Sequence, residues 1–171
     1  PASQLKAGIA RAFGEILPGF DLETLDVEGL TDERELAFSG RGRVRSFLDE
    51  TPDGLTAPQP LPALNMSATL AGGEGARVYP YFLGRDVVAL GEVRVTMPEG
   101  MRLASAPPRT REEFAGGRFE LAIEADGERT FVLRRKLLLP PFHVPAADYA
   151  AFAQFCAHVD ELERVPLRFA R

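Results

Sequence analysis

Apolar and polar positions along this chain repeat with two periods, one of three to four residues and one of two. These are the spacings of a helix face and of a strand face. Near the start, Leu5, Ile9, Phe13 and Ile16 fall four, four and three apart and predict a helix. Ser3 is a suitable N-cap, and Pro18-Gly19 stops the helix. Leu22 to Glu28 reads as a short mixed strand, and Arg34 to Leu48 as a longer one. In the longer run Leu36, Phe38, Val44 and Leu48 keep one parity, while Arg41, Arg43 and Arg45 keep the other. That is a half-buried strand with one wet face. Gly40 and Gly42 stand on the apolar parity, which predicts a bulge or a close neighbour. A proline-rich break covers residues 51 to 62, Leu64 to Ala71 predicts another strand, and Ala71-Gly72-Gly73-Glu74-Gly75 predicts a flexible loop.

The period of two is clearest from Val87 onward. Val93, Val95 and Met97 alternate with Glu92, Arg94 and Thr96 before the turn Pro98-Glu99-Gly100. Phe119, Leu121, Ile123 and Ala125 alternate with polar neighbours up to Asp126-Gly127, a two-residue hairpin signal. Thr130 to Leu139 is the returning strand. Arg135 shares the parity of Phe131 and Leu133, which predicts a bulge or an edge position. Pro140-Pro141 ends that strand and Pro145 opens a second helix, whose stripe is Tyr149, Phe152, Phe155, Val159 and Leu162. Val165 to Phe169 predicts a last short strand. The fold class that follows is mainly β: sandwich-like antiparallel sheets with an N-terminal and a C-terminal helix, with α+β as the alternative. The expected organisation is 1–50 as a helix plus first strands, 51–78 as a Pro/Gly-rich connection, and 79–171 as a β domain with a closing helix.

Composition narrows the function classes. The 171 residues carry a formal net charge of −5, which offers no basic excess for nucleic acid. No run approaches the roughly 20 apolar residues of a membrane span. One cysteine excludes an internal disulfide and a cysteine-based zinc cage, and two histidines, His143 and His158, leave little for a metal. The chain begins at Pro1 without methionine or signal peptide and reads as a piece of a longer protein.

Four patterns imitate chemistry. Cys156, His158 and Asp160 are the residue types of a catalytic triad, but they are two apart on a helical stripe. At about 100° per residue Cys156 and Asp160 share a face, and His158 points about 160° away. A thiol needs its base within about 3 Å, so the arrangement fails within one chain. The glycine loop 71–75 lacks a Gly-Lys-Ser/Thr ending and carries Glu74, which repels phosphate. The carboxylate pairs Glu112-Glu113 and Asp160-Glu161 are candidates for acid–base work by adjacency alone. The arginine row Arg41, Arg43 and Arg45 invites an anion-site reading against the plainer one of a solvated face. Arg134-Arg135-Lys136 is expected as a surface ladder against Glu120 and Glu124. No catalytic, cofactor or metal residues are assigned.

From Tyr79 to Arg171 the order of motifs resembles the C-terminal region of bacterial transglutaminase-like proteins that begin with an N-terminal domain of unknown function. Tyr79-Pro80-Tyr81 resembles the aromatic-proline entry to that region, and Glu92 to Gly100 its strand with a Leu-Pro-Glu-Gly-like turn. The hairpin from Gly117 to Leu139 follows in place, and Pro145, Tyr149, Phe152, Phe155 and Asp160 match the closing pattern. Val144 departs from it, since relatives often have a small polar residue before the proline. The resemblance implies a non-catalytic accessory domain following a papain-like Cys-His-Asp core. Such a domain would support that core or dock a protein or envelope partner, in the periplasm or cell envelope of a bacterium. The family's catalytic residues lie in the upstream core, and Cys156 does not correspond to its nucleophile. A carbohydrate- or peptide-binding sandwich is the alternative, and a free-standing hydrolase a further one.

Overall fold

A computed structural model describes residues 2–28, 37–52, 54–71 and 77–171. The fold is mainly β, with antiparallel sheets and a helix toward each end of the chain. The first helix, α1, spans Ala2–Ile16, so Ser3 lies inside it rather than at its cap. Gly19, with φ 74°, turns the chain into β1 (Phe20–Glu28), which pairs with β2 (Ala37–Val44). The α1 helix packs on β1, with the Phe13 ring 5.4 Å from Phe20 and 6.5 Å from Phe38. Both devices expected near Gly40 and Gly42 are present. The register shifts between Leu22 and Thr24, and a Cβ on Gly42 would stand 2.6 Å from the Asp21 carbonyl and from the Phe20 ring. The predicted residues Arg34 to Leu36 and the loop Gly72 to Gly75 lie outside the described residues.

Two four-stranded sheets form the rest. The larger has the order β6-β10-β9-β8, with β6 at Val87–Thr96, β8 at Thr110–Phe114, β9 at Gly117–Ala125 and β10 at Thr130–Leu139. The second has the order β3-β4-β12-β7, from Asp49–Thr51, Gly54–Ala57, Leu167–Ala170 and Arg102–Ser105. A short ribbon pairs β5 (Tyr81–Leu83) with β11 (Phe142–Val144). After a single 3-10 turn at Ala146–Asp148, the helix α2 runs from Tyr149 to Arg164. The predicted helix start at Pro145 is therefore a 3-10 turn, with the α-helix beginning four residues later.

Alternation fixes which face is inside. Phe119 and Leu121 of β9 and Leu133, Leu137 and Leu139 of β10 are buried together under α2, which contributes Tyr149, Phe152, Phe155, Cys156 and Val159. At the far end of the same sheet, Phe131 and Met97 meet Ala57, Leu167 and Phe169 of the second sheet. The layering is thus helix on sheet over most of the face and sheet against sheet at one end. The β9–β10 hairpin is present and Gly127 has φ 98°, as its sequence requires. The loop is longer than the two residues expected: Asp126 N–H still donates to Thr130 O at 2.7 Å, so Gly127 to Arg129 make the turn.

One predicted element is absent. Leu64 to Ala71 is not a strand; it bends at Asn65, with φ 50°, into a π-helical turn at Ser67–Ala71. Local bonds explain the choice. The Asn65 carbonyl accepts from Ala68 N–H at 3.1 Å and Thr69 N–H at 2.9 Å, and the Asp160 carboxylate accepts from Met66 N–H at 2.6 Å and Ser67 N–H at 3.0 Å. A carboxylate reaching in from α2 satisfies the free donors at the start of the turn, as a helix cap does.

Phe152 is wholly buried, with ring centroids of Tyr81, Phe114 and Phe142 at 5.1, 5.3 and 5.4 Å. Phe152→Ala is expected to lower stability by about 3–5 kcal/mol, the range for deleting a core phenylalanine. Equilibrium urea denaturation measures this, and a loss below about 1 kcal/mol would contradict the packing described.

Candidate functional site

The polar side chains that the fold gathers inside lie on the last two turns of α2, on the strand beneath and at Gln59 in the segment that runs along the helix. Arg135 points inward from the centre of β10, the position where its parity looked anomalous. There is neither a bulge nor an edge: β10 is flanked by β6 and β9, and its register with both is unbroken. The arginine is accommodated by a countercharge. Its Nη1 donates to Glu163 Oε1 at 2.6 Å and to the Pro62 carbonyl at 2.7 Å, and the two side chains are 10% and 3% exposed. Glu163 Oε2 accepts from Leu64 N–H at 2.8 Å. Gln59 Nε2 donates to the carbonyls of Leu162 at 2.7 Å and Val165 at 3.2 Å, which meets orphan acceptors at the helix end. Asp160, Glu163 and Gln59 thereby fasten the segment from Gln59 to Ser67 along α2.

The sequence candidates are distributed as follows. Cys156 is fully buried, and Asp160 is buried on the same side of α2. His158 is on the exposed side, with Nε2 3.4 Å from Glu112 Oε1 and Nδ1 3.8 Å from Glu161 Oε2. Burial first, and then the Asp160 carboxylate, push the Cys156 thiol up to about 12. Glu112 and Glu113 separate, the first toward His158 and the second to Arg111, whose Nε donates to it at 2.9 Å. Asp160 and Glu161 separate likewise, one buried and one exposed. Neither carboxylate pair shares a site. An open depression of about 550 Å³ beside the β8–β9 turn is lined by Arg111, Glu113, Arg118 and Leu138, and its first two charges already bond each other.

The arginine row is exposed: Arg43 pairs with Glu23 at 2.6 Å, and Arg45 follows the end of β2. Of the basic triplet, Arg134 bridges Glu92 at 2.8 Å and Glu124 at 3.6 Å. Lys136 stands opposite Glu120, which is held by Arg118 at 3.2 Å. The ladder is thus built around Arg134, while Arg135 belongs to the interior. Among the described residues no three His, Cys, Asp or Glu side chains gather as metal ligands, and no helix is long and apolar enough to cross a membrane.

Residues 59–169 match the family model of a domain of unknown function, DUF3858. The chain belongs to this family. The DUF3858 match begins at Gln59, the residue that binds the end of α2, and closes at Phe169 in β12. Strands β3 and β4 precede the match, yet β4 pairs with β12, so the DUF3858 sheet is completed by residues outside the matched stretch. No curated protein and no solved structure matches the chain.

Two features of this DUF3858 domain were not found in the sequence. One is the Arg135–Glu163 pair, whose single signal was a charge on an apolar parity. The other is a surface beside the β5–β11 ribbon, where Val78, Tyr79 and Phe82 are exposed and the Phe82 ring lies 4.5 Å from His143. Next to it the Arg77 guanidinium sits 5.1 Å from the Tyr81 ring and 4.6 Å from the Tyr149 ring, a double cation–π contact. Tyr149 Oη donates to the Ala71 carbonyl, and burial is the leading cause that raises the Tyr81 phenol above its usual range.

Two outcomes test this arrangement. Glu163→Ala leaves Arg135 charged and unpaired inside, and is expected to cost about 3–5 kcal/mol, whereas Glu161→Ala at an exposed neighbour stays within about 0.5 kcal/mol. Paired denaturation curves decide this, and equal effects would refute a structural role for Glu163. Cys156, fully buried and with its thiol pushed up by burial, is expected to resist thiol reagents until the protein unfolds. Labelling in native buffer as fast as in denaturant would contradict its burial.

Proposed function

We propose that this chain is a non-catalytic accessory domain of a larger transglutaminase-like protein, supporting the catalytic core upstream in the same polypeptide or docking a partner to it. The observation that carries the reading is the use made of the interior polar groups. Asp160, Glu163, Arg135 and Gln59 are engaged in holding one backbone segment against α2, and the thiol of Cys156 is held in its neutral form beneath the aromatic stripe. The motif order from Tyr79 to Arg171 supports the same placement. A bacterial periplasmic or envelope setting follows from the resemblance and belongs to the proposal.

A second reading, a module that binds carbohydrate or peptide, is favoured by one observation: Tyr79 and Phe82 present aromatic surface to solvent. Amphipathic rings at a surface are what sugar and peptide recognition use.

The deciding experiment compares the full-length gene product with this chain alone in a transamidation assay, using a glutamine-containing peptide and a primary amine. The expected result is turnover by the full-length product, unaffected by Cys156→Ala, and none by the isolated chain. Activity of the isolated chain that disappears in Cys156→Ala would overturn the accessory reading. Retention on peptidoglycan or a peptide library, lost in Tyr79→Ala/Phe82→Ala with the fold intact, would establish the second reading instead.

A further inference from the structure

The larger sheet has two outer strands, and they are finished differently. At one side β8 is five residues long, carries Arg111, Glu112 and Glu113, and lies against α2. Short, charged and covered strands resist pairing with another chain. At the other side β6 is ten residues long, contains no proline, and keeps an unbroken register with β10 from Val87 opposite Leu139 to Thr96 opposite Thr130. Its only strand partner among the described residues is β10. Its outer face also exposes two large apolar side chains, Val88 at 60% and Leu90 at 67%. A long outer strand of unbroken register, with no further strand partner among the described residues, is a template for strand addition.

The charges on that face select the occupant. Along the outward side the order is Val88, Leu90, Glu92, Arg94 and Thr96. If a second copy of β6 adds antiparallel, the two-fold axis passes through a residue, because a register half a step away would set outward side chains opposite inward ones. An axis at Glu92 opposes two glutamates and an axis at Arg94 opposes two arginines, and both are unfavourable. An axis at Val93 sets Glu92 of each copy opposite Arg94 of the other, twice over. In that register Leu90 faces Thr96 and Gly91 faces Val95, so every residue from Leu90 to Thr96 is paired. On the inner face, half-buried Val93 meets its own copy, and Val95 stands opposite Gly91, whose inner side is covered by the Leu61 side chain. Arg134, already 2.8 Å from Glu92, and Asp126, already paired with Arg94, extend the salt-bridge row on either side.

We propose that β6 is a homodimer interface, joining two four-stranded sheets into one of eight strands about a two-fold axis at Val93. The partner is a second copy of this chain, recognised by backbone pairing and by reciprocal Glu92–Arg94 contacts.

Sedimentation equilibrium over a range of micromolar concentrations is expected to give twice the chain mass at the upper end. Glu92→Arg, which confronts arginine with arginine, is expected to return the monomer mass. Glu92→Arg/Arg94→Glu, which exchanges the two charges, is expected to restore the dimer, a rescue that general damage to the fold would not give. Val93→Cys places two thiols at the axis, and a short bifunctional thiol reagent is expected to join them. Leu90→Cys, displaced from the axis by three residues in each copy, stays unlinked, and the wild type with its buried Cys156 is the control. A monomer throughout the range that also leaves Val93→Cys unlinked would overturn the proposal. Linking at Leu90→Cys but not Val93→Cys would overturn its register, and a dimer unaffected by Glu92→Arg would overturn the charge pairing.

Discussion

The constraint on which this domain turns is a positive charge in the middle of a buried sheet face. Arg135 sits where the pleat demands an apolar side chain, and a guanidinium placed there without a partner is heavily penalised. Its partner, Glu163, belongs to α2, so the ion pair fixes both the rotation of the helix about its axis and its position along the strand. Hydrophobic contact alone would tolerate sliding, because Phe152, Phe155 and Val159 make a stripe that many apolar surfaces could receive. The pair adds an address. Replacing such pairs by apolar residues is often neutral or favourable for stability, so its value here lies in specifying one arrangement.

The same two residues determine what happens to the chain before the sheet. Glu163 uses its second oxygen on Leu64 N–H, and Arg135 uses a shared donor on the Pro62 carbonyl. One turn earlier on the helix, Asp160 holds the start of the π-helical turn. A stretch with no sheet partner among the described residues thus has backbone groups met by side chains 73 to 99 residues distant. Carboxylates three positions apart on a helix project to the same side, which lets them read consecutive amides of one segment.

What was legible in the sequence follows from the range of the forces involved. The β9–β10 hairpin and α2 were readable because each is written within its own short stretch, alternation and turn glycine from Gly117 to Leu139 and the aromatic stripe from Tyr149 to Leu162. The segment Leu64–Ala71 was misread because its apolar residues imitate a strand, while its conformation is settled by Asp160, far along the chain. Arg135 was recognised as out of place, but the resolution, a carboxylate 28 residues on, had no local mark. The apparent triad Cys156-His158-Asp160 was separable from sequence for the opposite reason, since helical geometry is a local rule. The exposed aromatic surface at Val78, Tyr79 and Phe82 was hidden because apolar residues carry no sign of whether a fold will cover them.

The distribution of aromatic side chains has an optical consequence. The chain has three tyrosines and no tryptophan, and Tyr79, Tyr81 and Tyr149 all lie where α2 begins against the β5–β11 ribbon. Tyr81 and Tyr149 are 6.2 Å apart under the Arg77 guanidinium, while Tyr79 faces solvent. Intrinsic ultraviolet emission is therefore a local gauge. It records the seating of the first turn of α2 and carries no signal from the second four-stranded sheet or from the α1 hairpin. Agreement between that emission and a backbone signal such as far-ultraviolet dichroism would mark the domain as one cooperative unit, and a gap between them would expose a boundary within it.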